Sequence, residues 1–284
     1  MSAPRVLAVI QARLGSTRLP GKTLADLGGR PMLAHVVERA AAIPGVDGVV
    51  VATTANSRDD RLADWARQAG LGCVRGSEDD VLDRFHDALA RHPCDAVVRV
   101  TPDCPFLDPK VSGLVVDAWL AADGAVDYAS NVEPPTFPDG LDTEVISRAA
   151  LAAAWREARL PSDREHVTPF VRRDPRRFAQ ASVRHDPDLS HLRWTVDTPA
   201  DLDFARAVVA RLGPAGRERF GMREILALLE REPDLARLNA GQRRNEGYER
   251  SLAADAAAGA PAARTAGGTS AAPTAPTGPE IADR

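Results

Sequence analysis

A basic, glycine-containing segment follows the first apolar run of the chain and could bind a polyphosphate. It extends from Gln11 to Thr23, and Gly15, Ser16, Thr17 and Gly21 suit a tight loop with exposed backbone N–H groups. The segment also contains three cations within a span of ten residues, namely Arg13, Arg18 and Lys22. Because polyphosphates need amide donors for their oxygens and fixed positive charge nearby, the segment predicts a phosphate-binding loop.

Neither of two common nucleotide-binding motifs matches this segment. A Walker A loop has four residues between its glycines, whereas five lie between Gly15 and Gly21, and Pro20 lacks an amide donor. No GxGxxG follows any predicted strand, so the sequence does not support a dinucleotide site. An ordinary loop with solvated charges is the alternative for any single basic residue, but the cluster as a whole favours phosphate binding.

Two aspartates follow apolar runs that we predict to be strands. Asp103 lies between two prolines after the run that ends at Thr101, and Asp197 follows the run from Leu192 to Val196. Aspartates at the ends of two strands can share a Mg²⁺ ion, whose remaining ligands are water and phosphate oxygens. The alternatives are that Asp103 is a turn residue and that Asp197 belongs to a helix cap beside Thr198.

Strands and helices alternate through the first half of the chain, which predicts a mostly parallel α/β sheet with helices on both faces. The predicted strands are 6–10, 48–54, 73–74 and 96–101. Helical spacing of apolar residues predicts helices over 32–40, 62–69, 81–89 and 111–122.

The second half is less regular. We predict a proline-rich loop over 131–140, a strand over 144–146, helices over 147–159 and 163–173, a strand over 192–196, and a helix capped by Thr198. From Ala253 to Arg284, 13 of the 32 residues are alanine and Ile281 is the only large apolar side chain. Such a composition predicts one domain over 1–252 and a disordered C-terminal tail over 253–284.

Overall charge and cysteine content exclude several classes of protein. The formal net charge of −4 argues against a general nucleic-acid or membrane-surface partner. The three cysteines form no CxxC, which argues against a disulfide framework or a zinc site. No apolar run is long enough to span a membrane, and no export signal precedes the first strand. We therefore expect a cytoplasmic protein.

Several separated blocks of the sequence resemble the CMP-sugar synthetases, which comprise the 3-deoxy-manno-octulosonate and acylneuraminate cytidylyltransferases. The chain is most similar to their spore-coat polysaccharide biosynthesis subgroup. The similarity covers roughly Val6 to Leu252. The blocks that carry it are 10–22, 29–33, 75–84, 99–105, 138–144, 164–169, 191–197 and 245–248.

This resemblance implies a nucleotidyltransferase (glycosyltransferase-A-like) fold with a small dimerisation extension, and hence a homodimer. It also implies CTP, Mg²⁺ and an acidic acceptor that is converted into its CMP derivative with release of pyrophosphate. Arg13 and Lys22 would be the catalytic cations that hold the triphosphate, and Asp103 and Asp197 would bind the metal. The other nucleotide-binding residues would be Ala12, Gly15, Ser16, Thr17 and Arg18 in the loop, with Arg75 and Ser77 near the cytidine.

One departure from the family pattern concerns the acceptor. Where Thr101, Pro102 and Asp103 stand, the octulosonate enzymes usually carry Gln-Gly-Asp, which puts the octulosonate in doubt as the acceptor. An acidic nonulosonate, another sugar acid or a small phosphonate would also fit.

Two further clusters are candidates for binding the acceptor. Arg164 and His166, beside Glu165, start a predicted helix, where an arginine could bind a carboxylate or phosphonate with two hydrogen bonds. Asp139, Asp142 and Glu144 could bind acceptor hydroxyls or a second metal. The first cluster could equally consist of first-turn helix residues that face solvent or a subunit interface. The second could equally be a turn with solvated charges.

Three other functions compete with a cytidylyltransferase. A sugar-phosphate nucleotidyltransferase would carry a similar Arg and Lys, but typically within GxGTRL. A nucleotide-sugar glycosyltransferase, in polysaccharide or secondary-metabolite biosynthesis, would need an Asp-x-Asp metal motif. Asp186 with Asp188, and Asp201 with Asp203, match it, but we interpret both pairs as loop or cap carboxylates. The third is a nucleotide-binding protein without catalysis.

Overall fold

The computed structural model describes residues 3–213, 220–242 and 244–257, and these contain a single seven-stranded sheet. Each strand begins and ends within a few residues of a break in the apolar pattern. The strands are β1 (Val6–Gln11), β2 (Gly48–Thr54), β3 (Gly72–Gly76), β4 (Ala96–Val100), β5 (Tyr128–Ser130), β6 (Glu144–Ser147) and β7 (Gln180–Ser182).

The order of the strands across the sheet is β3-β2-β1-β4-β6-β5-β7. The first four strands are parallel, and β6 pairs antiparallel with both β4 and β5. The carboxyl ends of β1, β2, β3 and β4 therefore meet at one edge, where ligands of open α/β sheets bind. The predicted mostly parallel sheet is confirmed.

Helices cover both faces of the sheet, as the alternation predicted. They are α1 (Met32–Ala40), α2 (Asp60–Gln68), α3 (Val81–Arg91), α4 (Pro109–Leu120), α5 (Arg148–Glu157), α6 (Pro161–His166), α7 (Pro169–Arg172), α8 (Pro199–Leu212), α9 (Met222–Arg231), α10 (Asp234–Arg237) and α11 (Glu246–Ala257).

Alternate residues of the strands point into two separate cores. Leu7 and Val9 of β1 pack with α3 and α5, whereas Ala8 and Ile10 of the same strand pack with α1, α2 and α4. A third core, built around Trp194 and Phe204, lies beneath α8, α9 and α10. In this third core, Trp194 and Val196 of the segment 192–197 pack with helix α8 and with the loop residues Phe106 and Phe137.

The predicted strand over 192–196 is wrong. Its residues form one isolated bridge, between Arg193 and Asp139, and no strand. The backbone amides pair instead with two loops, because Trp194 N donates to Asp139 O (2.6 Å) and Val196 N donates to Asp103 O (2.8 Å). The burial of Trp194 and Val196 explains the apolar pattern without a strand.

Other differences lie in the second half of the chain. The predicted helix over 163–173 divides into α6 and α7 at Val167, whose φ of 72° ends α6, and Pro169 starts α7. Strands β5 and β7 were not predicted, since three residues are too few to show an alternating pattern.

A helix crosses the position 252 at which we predicted the end of the domain. Helix α11 continues to Ala257, and Asp255 is buried, where its Oδ1 accepts a hydrogen bond from Ser162 N at 3.2 Å. The rest of the predicted tail, residues 258–284, lies outside the described residues.

Within the described ranges, no helix is both long and apolar enough to cross a membrane. All three cysteines, Cys73, Cys94 and Cys104, are free thiols.

Candidate active site

The predicted phosphate-binding loop leaves the carboxyl end of β1 and is held from both sides. Its entry is fixed by Asp59, a buried residue whose Oδ1 accepts a hydrogen bond from Leu14 N at 2.7 Å. Its exit is closed by Gly21 N, which donates to Leu14 O at 3.2 Å. Gly21 has a φ of 72°, a left-handed conformation that suits glycine.

The middle of the loop presents unused amide donors. In the part of the chain that the structure describes, the N–H groups of Gly15, Ser16, Thr17 and Arg18 donate no hydrogen bond. The loop is nevertheless ordered, since Leu19 N donates to Ser16 Oγ at 3.3 Å. Such a row of amides is suited to an anion.

Lys22 joins this loop to the two predicted metal-binding aspartates. Its ammonium is 3.1 Å from Asp103 Oδ2 and 2.7 Å from Asp197 Oδ1, and it also donates to Val196 O at 2.8 Å. The residues therefore converge from positions 22, 103 and 197 of the chain, and both carboxylates face one point.

The two carboxylates determine the protonation of Lys22. Burial alone would lower its pKa, but the neighbouring Asp103 and Asp197 outweigh burial and raise it. Burial would raise the pKa of Asp103, and the ammonium reverses this and lowers it. Lys22 and Asp103 are therefore both charged at neutral pH.

The chemistry of these donors fits a magnesium ion. Asp103 and Asp197 supply carboxylate oxygens directed at a point where a positive charge is already held. No group of three or more His, Cys, Asp or Glu side chains among the described residues forms a complete metal cluster. Two carboxylates are compatible with Mg²⁺, which binds one or two carboxylates and takes its other ligands from water and substrate phosphates. Magnesium at this site stays a prediction.

The other two loop cations point in different directions. The Arg18 guanidinium lies 3.0 Å from Asp197 Oδ1 and 3.0 Å from Glu246 Oε2, so it belongs to the Lys22 cluster. Arg13 lies 3.7 Å from Glu78 and 3.8 Å from Glu165, with 40 % of its side chain exposed. Arg13 is thus the more accessible cation of the two.

The predicted cytidine-binding residues lie at the carboxyl end of β3. Arg75 donates to the carbonyl oxygens of Thr54, the last residue of β2, and of Asn56, both at 2.9 Å. Ser77 is exposed, and its carbonyl oxygen accepts a hydrogen bond from Arg84 NH1 at 2.5 Å. They border the phosphate-binding loop through the contact between Arg13 and Glu78, the residue after Ser77.

Two predicted acceptor-binding residues lie close to the Lys22 cluster. Asp139 Oδ2 accepts a hydrogen bond from Arg193 NH1 at 2.9 Å, and Asp142 pairs with Arg244. Burial raises the pKa of Asp139. Burial, opposed by Arg244 and reinforced by Asp139, raises the pKa of Asp142 to about 7.

Glu144, the third acidic candidate, is enclosed by protein groups. It accepts hydrogen bonds from the hydroxyls of Tyr128 and Thr168, both at 2.6 Å, and from Arg99. Although burial opposes ionisation, Arg99 and Arg172 lower its pKa to about 2. Because its oxygens are occupied within the sheet, we do not retain Glu144 as an acceptor ligand.

Arg164 is also engaged internally. Its Nε donates to Asp80 Oδ2 at 2.8 Å and its NH1 donates to Trp155 O at 2.8 Å, so it ties α6 to the start of α3. We therefore do not retain Arg164 as the group that binds the acceptor's acid.

His166, the last residue of α6, contacts α11. Its Nε2 is 2.9 Å from Ser251 Oγ, and its ring meets the edge of Tyr248 at 5.0 Å between centroids. Burial, and secondarily Arg99, lowers its pKa to about 4, so the imidazole is neutral at pH 7. Its neighbour Glu165 approaches Arg13, which links this pair of helices to the phosphate-binding loop.

Three residues of the site were not singled out from the sequence. Arg193, Arg244 and Glu246 contact Asp197, Asp142 and Arg18, respectively. Each lies in or beside a block of sequence that resembles the CMP-sugar synthetases, and this position was the feature of the sequence that could have identified it. Their partners lie 4, 102 and 228 residues away, so local spacing could not identify two of the three contacts.

The Asp-x-Asp matches are structural. Asp188 accepts a hydrogen bond from Ser190 N within a loop, and Asp201 forms a capping box with Thr198 at the start of α8. Asp203 is exposed on the same helix. This confirms their interpretation as loop and cap carboxylates.

Comparison with known proteins adds an independent line of evidence. The family model described as "Cytidylyltransferase" matches residues 7–210. The chain is 33 % identical over 240 residues to the spore coat polysaccharide biosynthesis protein SpsF of Bacillus subtilis, covering 81 % of this chain and 96 % of that protein. It is 33 % identical over 242 residues to the 3-deoxy-manno-octulosonate cytidylyltransferase of Anaeromyxobacter dehalogenans, covering 72 % and 98 %.

Among solved structures, a cytidylyltransferase from Leptospira borgpetersenii is similar to this chain. The TM-score is 0.77 at 31 % sequence identity, over 82 % of this chain and 97 % of that one.

Proposed function

The chain belongs to the cytidylyltransferase family and is a nucleotidyltransferase, and from that premise we propose its reaction. We propose that it uses CTP and Mg²⁺ to convert a sugar acid into its CMP derivative, with release of pyrophosphate. The observation that carries the proposal is the Lys22 ammonium, held between Asp103 and Asp197 beside a loop with unused amides.

In this mechanism the protein positions charges and does little covalent chemistry. An oxygen of the acceptor, either already an oxyanion or a hydroxyl that loses its proton to water, attacks the α-phosphorus of CTP. The new O–P bond forms, and the bond from the α-phosphorus to the bridging oxygen breaks. The electron pair of that bond leaves on pyrophosphate. Arg13, Lys22 and the amides of residues 15–18 neutralise the charge that develops on the leaving group.

Asp103 and Asp197 would hold the magnesium ion. When bound, Mg²⁺ supplies positive charge that draws the α-phosphate and the acceptor oxygen together. The protein's part is to aim both carboxylates at one point, where they contact Lys22, and to keep Asp103 ionised, which the Lys22 ammonium favours.

For the acceptor we propose the side of the site that Asp139, Asp142 and His166 border. Carboxylates there can accept hydrogen bonds from sugar hydroxyls, and the neutral His166 can donate or accept one. The name of the Anaeromyxobacter dehalogenans relative, a 3-deoxy-manno-octulosonate cytidylyltransferase, supports a sugar acid as the acceptor class. A phosphonate has an equally good nucleophilic oxygen and forms a separate arm of the test.

Pyrophosphate release is the measurement that tests this function. The full-length protein is incubated with Mg²⁺, one of CTP, UTP, ATP or GTP, and panels of sugar acids, phosphonates and sugar phosphates. We expect release with CTP and a sugar acid, and none when the metal is chelated. Release with another nucleotide and a sugar phosphate would contradict the proposal and would indicate a sugar-phosphate nucleotidyltransferase.

We further propose a homodimer located in the cytoplasm. The support is the resemblance to the CMP-sugar synthetases, together with the three free cysteines, which are typical of a reducing compartment. Light scattering on the purified protein measures the mass and would show a monomer if the dimer is wrong.

A further inference from the structure

Arg193 lies at the centre of a buried group of carboxylates beside the proposed metal site. Its guanidinium contacts Asp139 at 2.9 Å, Asp197 at 3.2 Å and Asp201 at 3.0 Å. Only 8 % of its side chain is exposed. One guanidinium therefore serves three carboxylates, and Asp197 is also one of the two proposed metal ligands.

The guanidinium is fixed in place by several independent contacts. Its Nε and NH2 donate to the two oxygens of Asp201 at 3.0 and 3.2 Å, which is the two-pronged geometry that a planar guanidinium favours. Asn239 Nδ2 donates to both Arg193 O (3.1 Å) and Asp201 Oδ1 (3.0 Å). Asp201 is itself held by the capping box of α8 and accepts a hydrogen bond from Asp197 N at 3.0 Å.

This arrangement divides the two oxygens of Asp197 between different tasks. Oδ2 accepts a hydrogen bond from Arg193, whereas Oδ1 faces Lys22 and Arg18 at 2.7 and 3.0 Å. A carboxylate with one oxygen bound to a rigid donor has little freedom to rotate. Oδ1 is therefore kept aimed at the point that Asp103 Oδ2 also faces.

We propose that Arg193 is a positioning residue that orients Asp197 for metal binding. It touches neither nucleotide nor acceptor in this role and acts only through the carboxylate. The inference rests on the proposed function, because it takes Asp103 and Asp197 as the magnesium ligands. Groups that hold a metal ligand in place typically change metal affinity or activity by about 10- to 100-fold when they are replaced.

Charge and orientation make opposite predictions for one substitution. Lysine keeps the positive charge of Arg193 but lacks the planar fork that spans Asp201 and Asp197. If Arg193 only neutralised its neighbours, Arg193→Lys would bind metal as well as the wild type. If Arg193 orients Asp197, the same variant binds metal more weakly.

The experiment measures Mn²⁺ binding by electron paramagnetic resonance of the free ion, without nucleotide and without turnover. The full-length wild type is compared with Arg193→Lys and with Arg206→Lys, a control on α8 whose side chain is half exposed. We expect Arg193→Lys to weaken Mn²⁺ binding by about 10-fold or more and Arg206→Lys to leave it unchanged. In pyrophosphate release, kcat should fall with Arg193→Lys while the KM for CTP stays nearly constant.

Two outcomes separate this inference from the proposed function. A folded Arg193→Lys variant with wild-type Mn²⁺ affinity would overturn the positioning role and leave the cytidylyltransferase reaction standing. If Asp197→Asn binds Mn²⁺ as tightly as the wild type does, and the wild type releases no pyrophosphate, both the positioning role and the proposed function are overturned.

Asn239→Ala tests the same inference if Arg193→Lys does not fold, with circular dichroism reporting the fold. It leaves every charge in place and removes the two hydrogen bonds that hold the Arg193 backbone and Asp201. We expect weaker Mn²⁺ binding in this variant too, and an unchanged affinity would count against the proposal.

Discussion

At the scale of single residues, the chain provides a matched pair for testing the ammonium at the centre of the site. It contains only two lysines, Lys22 and Lys110. Lys22 is buried between two carboxylates, whereas Lys110 is exposed at the start of α4.

We predict that Lys22→Ala lowers the turnover number for pyrophosphate release by at least ~100-fold, the scale of losing one preorganised charge contact. Lys110→Ala should leave turnover unchanged. Asp103→Asn should resemble Lys22→Ala, because it removes the partner on the other side of the same contact. Turnover near that of the wild type in Lys22→Ala would remove the ammonium from the mechanism.

His166 makes the stability of the protein depend on pH. Its pKa is about 4 in the folded state and 6.5 ordinarily, so the unfolded chain binds a proton at a higher pH than the folded one. Its contribution to stability is therefore fully present above pH 6.5 and is lost as the pH falls towards 4. At pH 5 the loss is about 2 kcal/mol.

The test is the difference in unfolding free energy between the wild type and His166→Gln, from urea titrations at pH 8 and pH 5. The variant should lose less stability than the wild type on acidification, so the difference between the two should shrink at pH 5. Asp142 has the opposite dependence, since its pKa is raised, but it is common to both proteins and cancels. A difference that does not change with pH would contradict the prediction.

The sequence identified the charged residues of the site better than it identified their partners. It placed Lys22, Asp103 and Asp197 in one site, and the structure brings them within hydrogen-bonding distance. For Glu144 and Arg164, the sequence showed a charged residue at a position compatible with binding the acceptor. Whether another side chain already pairs with that charge depends on contacts between distant parts of the chain. Arg164 and Asp80, for example, are 84 positions apart.

At the scale of elements, Gly140 determines where the segment that carries Asp197 can lie. Its φ is 110°, and a Cβ there would lie 2.8 Å from Thr195 N and 2.8 Å from the carbonyl carbon of Trp194. Both are backbone atoms, which cannot move aside as a flexible side chain can. The loop and the segment 193–197 can therefore approach each other only with glycine at this position.

We predict that Gly140→Ala destabilises the protein by at least about 2 kcal/mol, from backbone strain and the clash together. Gly124→Ala is the matched control, because Gly124 also has a positive φ, 83°, but no described atom lies within 4 Å of its Cβ position. It should cost about 1 kcal/mol from strain alone. Urea unfolding measures both, and equal losses would show that the close approach is unimportant.

The accuracy of the element predictions followed the length and regularity of the elements. Strands β1, β2 and β4 and helices α1 to α4 follow long apolar patterns in a parallel sheet, and the sequence predicted all of them. The segment 192–196 has the apolar pattern of a strand, but it takes its hydrogen bonds from loops. Periodicity reports that a segment is buried, and it does not report which neighbour supplies the hydrogen bonds.

At the scale of the whole molecule, α11 connects parts of the site that are distant in the chain. Glu246 contacts Arg18 in the phosphate-binding loop, Ser251 contacts His166, and Asp255 accepts a hydrogen bond from Ser162 N.

We predict that a chain ending at Ala257 melts at the same temperature as the full-length protein, whereas one ending at Arg244 melts roughly 5 °C lower or more. The second truncation removes α11 with all its contacts, including the three just named, and it should also abolish pyrophosphate release. Differential scanning calorimetry compares the three chains. An unchanged melting temperature for the chain ending at Arg244 would mean that α11 adds nothing to the fold.

The position of α11 also has a consequence for how the protein is made. A ribosome delivers the phosphate-binding loop and β1 to β4 before Asn239, which holds Arg193, and Glu246, which contacts Arg18. A growing chain therefore holds Lys22 and Asp103 long before it can hold Asp197 in its final place. We expect translation that stops before codon 246 to yield an inactive polypeptide, because it lacks the contacts of α11 with Arg18 and His166. Activity would then report that synthesis has passed this point.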